Sequence, residues 1–220
     1  MTYKPLRVQL NSKKFRMQSV DIIVPFYNKE STLVAKLIES IFNTVLSNRY
    51  LISLVDDGSN QKEFLRHFQS GAKSIPGISC ISHETHKGFG PSIQSALERT
   101  KQPWILIARP GLVVEGSHWL ANLGETLLQL KDSGVKMVSP YTDHPSIFEE
   151  TLKFDKENVM NAETKLVPDN EYLPLYCALA SRELFRRVGI PNEPQQFAQK
   201  MRSQGYKQAV CGSSWVHFEN

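Results

Sequence analysis

Two apolar runs that each stop abruptly in polar residues constrain the fold of this chain most. Residues 20–28 read Val-Asp-Ile-Ile-Val-Pro-Phe-Tyr-Asn, and residues 51–59 read Leu-Ile-Ser-Leu-Val-Asp-Asp-Gly-Ser. A near-continuous apolar run is the signature of a strand buried on both faces, as in a parallel sheet. An abrupt polar end marks the carboxyl edge of such a strand, where α/β sheets bind ligands. Between the runs, Val34, Leu37, Ile38, Ile41, Phe42 and Val45 recur at helical spacing and form a stripe that would pack on the sheet. Strand, helix and strand, with Asp56 and Asp57 at the second mouth, read as the opening of a nucleotide-binding α/β domain.

The pattern continues. Residues 78–82 read as a third strand, followed by the loop His86-Lys87-Gly88-Phe89-Gly90-Pro91 and a helix carrying Ile93, Ala96 and Leu97. Gly90-Pro91 predicts the helix start, and Gly88 permits a close backbone approach to a ligand. Residues 104–107 and 135–139 predict further strands. Between them Trp119, Leu120, Leu123, Leu127 and Leu130 predict a helix stopped by Gly134. Residues 141–170 are polar and aperiodic, the place for a specificity segment. Residues 172–180 predict a strand, and Ser181 predicts the N-cap of a helix over 182–188 closed by Gly189. Asn28 predicts another cap. Residues 61–69 predict a helix that Asp57 would cap if it binds nothing.

Residues 25–28, Pro-Phe-Tyr-Asn, followed by residues 55–59, Val-Asp-Asp-Gly-Ser, resemble the opening of the family 2 glycosyltransferases. The late run over 176–189 resembles that family's last strand and helix. The resemblance covers roughly residues 20–217. It implies a three-layer α/β GT-A fold with a mostly parallel central sheet. It also implies transfer of a sugar from a UDP- or GDP-linked donor to an acceptor that the sequence does not name. Asp56, Asp57, Tyr27 and Pro25 would then lie at the nucleoside, with Gly88 in the loop that approaches it. The family holds a divalent metal, Mn²⁺ or Mg²⁺, on an Asp-x-Asp motif after the fourth strand. Here Arg109 and Gly111 fall on those two positions, so the usual metal ligands are absent and no metal ligand is assigned. Positive charge for the diphosphate would come instead from Arg109, aided by Lys87 and His217. The family's catalytic base follows the late helix. Glu193 is the nearest carboxylate, and Pro194 takes the place of its acidic neighbour. Those two departures support an alternative: a catalytically inactive GT-A domain serving as a nucleotide-binding or protein-interaction module.

Composition sets the remaining bounds. A chain of 220 residues with 40% hydrophobic and 22% charged residues suits one soluble domain. The net charge of +4 is uneven: Lys4, Arg7, Lys13, Lys14 and Arg16 stand in a leader without acids. Residues 1–19 therefore read as a basic extension and 20–220 as the GT-A-like domain. The extension reads as a solvated leader, or as an arm that meets an anionic membrane face from outside the bilayer. No run reaches the length of a membrane helix. The basic excess lacks the interleaved aromatics of a nucleic-acid binder. No glycine-rich phosphate signature follows the first strand, which argues against a nucleotidyltransferase. Cys80, Cys177 and Cys211 lack metal-type spacing and predict free thiols in a reducing, cytoplasmic setting.

Overall fold

The structure is a computed structural model describing residues 19–28, 31–44, 50–60, 62–142, 163–190 and 192–218. The basic leader, the short edge strand that the alternation of Leu6, Val8 and Leu10 would predict, and the stretch 143–162 lie outside the described residues.

The chain opens with strand β1 (Val20–Phe26), helix α1 (Ser31–Thr44), β2 (Tyr50–Asp56), α2 (Lys62–Lys73), β3 (Ile78–Ser82), α3 (Phe89–Arg99) and β4 (Trp104–Ala108). A short β5 (Leu112–Val114) leads to α4 (Trp119–Gln129) and β6 (Val135–Thr142). The chain closes with β7 (Lys165–Leu166), β8 (Cys177–Ser181), α5 (Arg182–Val188), α6 (Pro194–Ser203) and β9 (Lys207–Phe218). All nine strands join one sheet in the order β3-β2-β1-β4-β8-β6-β9-β5, with β7 pairing β9 off that path. β1, β2, β3 and β4 run parallel, as do β6 and β9. β8 runs antiparallel to both β4 and β6, and β5 and β7 run antiparallel to β9. The expected mostly parallel sheet is therefore present, with β5, β7 and β8 reversed.

Alternation along the strands builds the three layers. Ile22, Val24, Ile52, Leu54 and Leu106 face one side, where Val34, Leu37 and Ile41 of α1 and Trp119 and Leu123 of α4 meet them. Ile23, Val55, Ile105 and Ile107 face the other side, against Ile93 and Ala96 of α3, Phe185 of α5 and Phe197 of α6. Each fully buried side chain of this size contributes about 1.5–3 kcal/mol, so the two half-cores fix the sheet and leave its carboxyl edge for chemistry.

Several local expectations shift. β1 runs on through Phe26, so Pro25 is a buried strand residue opposite Val55 rather than part of the turn. Phe42 is 40% exposed and leaves the α1 stripe; Val45 lies outside the described residues. Asn28 adopts φ 51°, and its side-chain Oδ1 accepts from the Asn60 amide at 2.8 Å. α3 begins at Phe89, ahead of Gly90-Pro91, because Gly88 takes the N-cap position. Gly134 closes a 3₁₀ turn over Lys131–Ser133 rather than α4 itself. The late strand starts only at Cys177, and just before it the Tyr176 carbonyl accepts from the Arg109 N–H. Ser181 does cap α5, accepting from the Leu184 amide, and Gly189 closes it. Among the described residues no helix is long and apolar enough to cross a membrane.

Candidate functional site

The parallel strands β1, β2, β3 and β4 end on one edge, and Tyr27, Asp56, Asp57 and Arg109 close or follow three of them there. Asp57 is the centre of the arrangement. It is 4% exposed, and three hydrogen bonds and one close imidazole surround its carboxylate. The Lys87 amide donates to Oδ1 at 2.9 Å and the Gly88 amide to Oδ2 at 2.7 Å. His83 Nδ1 stands 2.8 Å from Oδ1, and His86 Nδ1 2.9 Å from Oδ2. Burial pushes the Asp57 pKa up, but His83, the two amides and the charge of His86 outweigh it and hold the carboxyl below the usual range. Asp57 thus pins the β3–α3 loop to the mouth of β2, rather than capping α2.

Gly58 seals the same junction. It sits at φ +75°, and a Cβ there would meet the Thr85 carbonyl carbon at 2.3 Å and the His86 nitrogen at 2.5 Å. Only a residue without a side chain lets the two loops touch.

Asp56 is differently placed. It is buried, and its Oδ1 accepts from the Ser59 amide at 3.0 Å. Among the described residues its Oδ2 takes no hydrogen bond. It lines an open cleft with Ser59, Arg66, Gln69, Ser82, His83 and Glu84. Of the two acids, Asp56 therefore has spare capacity for a ligand N–H or O–H. Tyr27 lies at the mouth of β1, with its ring centroid 4.3 Å from that of His86.

Arg109 follows β4. Its guanidinium carbon lies 4.8 Å from the Phe89 ring centroid and 4.7 Å from that of Tyr176. Two aromatic faces hold the planar cation, an arrangement open to Arg and closed to Lys. Phe89 opens α3, so the positive end of that helix stands beside the same charge. Lys87 is exposed, and its ammonium has no partner among the described residues.

His217 sits on β9 opposite Val113. Its Nδ1 is 3.0 Å from Glu115 Oε1, close enough for an ion pair but without hydrogen-bond alignment. A carboxylate thus stands between His217 and a free role toward phosphate. Its neighbour Phe218 packs edge-on against Tyr176, with centroids 5.4 Å apart. Glu193 occupies the N-cap position of α6 without a side-chain cap bond and is exposed. Asn192 beside it lies against Gly90, so this segment borders the start of α3.

The donor set does not fit a divalent metal. Residues 108–111, which close and follow β4, read Ala-Arg-Pro-Gly and carry no carboxylate. No group of three or more His, Cys, Asp or Glu among the described residues is placed to hold one. The roles of His83, Ser95, Phe89 and Tyr176 had no strong signal in the sequence; a polar residue closing the third apolar run was the only hint of His83.

A nine-stranded sheet with helices on both faces and a polar carboxyl edge defines a GT-A nucleotide-sugar transferase fold. The pattern of "Glycosyl transferase family 2" matches residues 21–188, and the chain belongs to that family. No curated protein sequence matches it. Among solved structures it resembles GalNAc-T7 with UDP, GalNAc and Mn²⁺, at TM-score 0.75 and 14% identity, over 93% of this chain and 44% of that one. It also resembles the mannosyltransferase PcManGT from Pyrobaculum calidifontis in complex with GDP-Man and Mn²⁺, at TM-score 0.68 and 18% identity, over 92% of this chain and 57% of that one. The chain spans about half the length of these structures.

Proposed function

We propose that the chain is a glycosyltransferase that uses a nucleotide-diphosphate sugar and places Arg109 where relatives place a metal. The observation that carries this reading is the Arg109 guanidinium held between Phe89 and Tyr176 at the mouth of β4. The two neighbouring folds bind UDP and GDP-mannose, and a diphosphate leaving group requires positive charge wherever it departs.

In this reading Asp56 accepts from the base or ribose, and Tyr27 offers a ring to the base. Asp57 and Gly88 act by shaping the loop around the nucleoside. Arg109 faces the diphosphate with the start of α3, aided by Lys87. His217 reaches phosphate only by exchanging Glu115 for it. In the transfer an acceptor hydroxyl attacks the anomeric carbon. The bond from that carbon to the phosphate oxygen breaks, and its electron pair leaves on the nucleoside diphosphate. The hydroxyl proton passes to a base, for which Glu193, the carboxylate that follows the late helix in sequence, is the candidate. Three free thiols agree with a reducing, cytoplasmic setting.

The missing acidic neighbour of Glu193 favours a second reading, an inactive GT-A domain that binds a nucleotide or a protein. Calorimetric titration with UDP, GDP and their sugar conjugates, each with Mn²⁺ and with EDTA, separates the cases. Binding that survives EDTA and is lost in Arg109→Ala supports the metal-independent transferase. Binding that requires Mn²⁺ overturns the role of Arg109, and no binding under either condition leaves a scaffold for contacts.

A further inference from the structure

We infer that His83 is a positioning residue for the phosphate end of the site, acting on Arg109 through Asp57, Gly88 and Phe89. The inference rests on the proposed nucleotide site and assigns it a residue whose two ring nitrogens are both engaged within the protein.

His83 directly follows β3, and its side chain is only 5% exposed. Both ring nitrogens are engaged: Nδ1 lies 2.8 Å from Asp57 Oδ1 and Nε2 2.8 Å from Ser95 Oγ on α3. An ionised carboxylate only accepts, so Nδ1 carries a proton toward Asp57, while Nε2 shares a hydrogen bond with the Ser95 hydroxyl. The ring therefore braces α3 against the mouth of β2. The Asp57 carboxylate it orients takes the Gly88 amide on its other oxygen at 2.7 Å. Gly88 is the N-cap of α3, and the next residue is Phe89, whose ring supports the Arg109 guanidinium at 4.8 Å. From His83 to Arg109 every link is a short hydrogen bond, a covalent step or a ring contact. Turning the Asp57 carboxylate by the loss of one donor moves the Gly88 amide, and with it one of the two faces that hold the cation. A phosphate-binding fork tolerates little such displacement.

Two variants of nearly equal polarity separate positioning from filling. Asn places its amide nitrogen where His83 has Nδ1, so His83→Asn keeps the donor to Asp57 and drops the Ser95 contact. Gln places its nitrogen near Nε2, so His83→Gln keeps the Ser95 side and drops Asp57. Each is measured for binding of UDP and of uridine, and of GDP and of guanosine, with the Gly88 amide and Arg109 Nε–H followed by NMR in the unliganded protein. The expected result is that H83N keeps diphosphate affinity within about threefold of the parent. H83Q should lose about tenfold for the diphosphate while nucleoside affinity stays within about twofold. In H83Q the Gly88 amide moves upfield and the Arg109 Nε–H signal shifts or broadens; in H83N both stay near their parent positions. Equal losses for nucleoside and diphosphate, or equal behaviour of the two variants, would overturn the inference. If the parent protein binds no nucleotide, the proposed function fails separately, and the two resonances still decide this one: unmoved signals in H83Q sink it.

Discussion

Arg109 and Tyr176 form a double contact: the Arg109 amide donates to the Tyr176 carbonyl at 2.8 Å, and its guanidinium lies over the Tyr176 ring. Backbone and side chain are thus fixed by one neighbour, so the charge is held before any ligand arrives. That preorganisation distinguishes it from a surface arginine. Arg109→Ala is expected to weaken nucleoside-diphosphate binding about 10- to 100-fold, or roughly 1.4–3 kcal/mol. Arg109→Lys should recover only part of this, because an ammonium cannot lie flat between two rings. Titration of both variants in EDTA checks it; a Lys variant equal to the parent would show that charge alone matters.

Gly58 and Gly90 look alike in sequence but meet different obstacles. A Cβ at Gly58 runs into the backbone of Thr85 and His86 at a positive φ, whereas one at Gly90 meets the Asn192 side chain, with Oδ1 at 1.5 Å. Backbone cannot move aside, but a side-chain end can rotate. Gly58→Ala should therefore cost about 3 kcal/mol. Gly90→Ala should cost about 1 kcal/mol or less, offset by better helix propensity. Thermal melts of the two variants test the ordering, which fails if Gly90→Ala proves the more damaging.

Much of this fold was legible because its signal is local. β1 and β2 are apolar runs with polar ends, and Ser181 and Gly189 bracket α5 as their chemistry requires. β5 and β7 were not legible: three and two residues long, they owe their pairing to β9 rather than to any periodicity of their own. At the site, Asp56, Asp57, Tyr27 and Arg109 were readable as residues at strand ends, and Gly88 as the loop glycine before α3. Their division of labour was not. Asp56 and Asp57 are neighbours, yet alternation along β2 sends one to the cleft and the other to the loop. Only the packed structure shows His83 and Gly88 converging on Asp57, because those residues are separated by 26 and 31 positions in the chain.

Glu193 offers a separation of binding from chemistry. It is exposed at the start of α6, makes no side-chain cap bond, and among the described residues shares no hydrogen bond or ion pair with those assigned to the nucleotide. Glu193→Gln should leave donor affinity within about twofold and stability within about 0.5 kcal/mol. With an acceptor found by screening, the same variant should lower kcat by about 100-fold or more. Unchanged kcat would remove Glu193 as the base and direct attention to other carboxylates at the mouth.

Asp21 makes the last prediction, at the opposite end of β1. It is fully buried, with Ser53 Oγ at 2.9 Å from Oδ1 and 3.0 Å from Oδ2. Burial raises its pKa to about 6, only partly countered by Thr100, Ser53 and the charge of Arg182. A carboxyl with a folded pKa above its unfolded value binds more protons when native, so stability falls as pH rises through that interval. The loss begins near the ordinary Asp pKa of about 4 and is complete above the folded value of about 6. Two pKa units correspond to about 3 kcal/mol as an upper figure. Asp21→Asn keeps an oxygen for Ser53 without the buried charge. Its stability curve should be flatter than the parent's between pH 4 and 7, exceeding it by the largest margin above about pH 6 and converging with it near pH 4. Denaturant midpoints at four pH values decide the matter: a variant less stable at pH 7.5 than at pH 4.5, relative to the parent, would mean that the charged form is the favoured one and that Arg182 outweighs the burial.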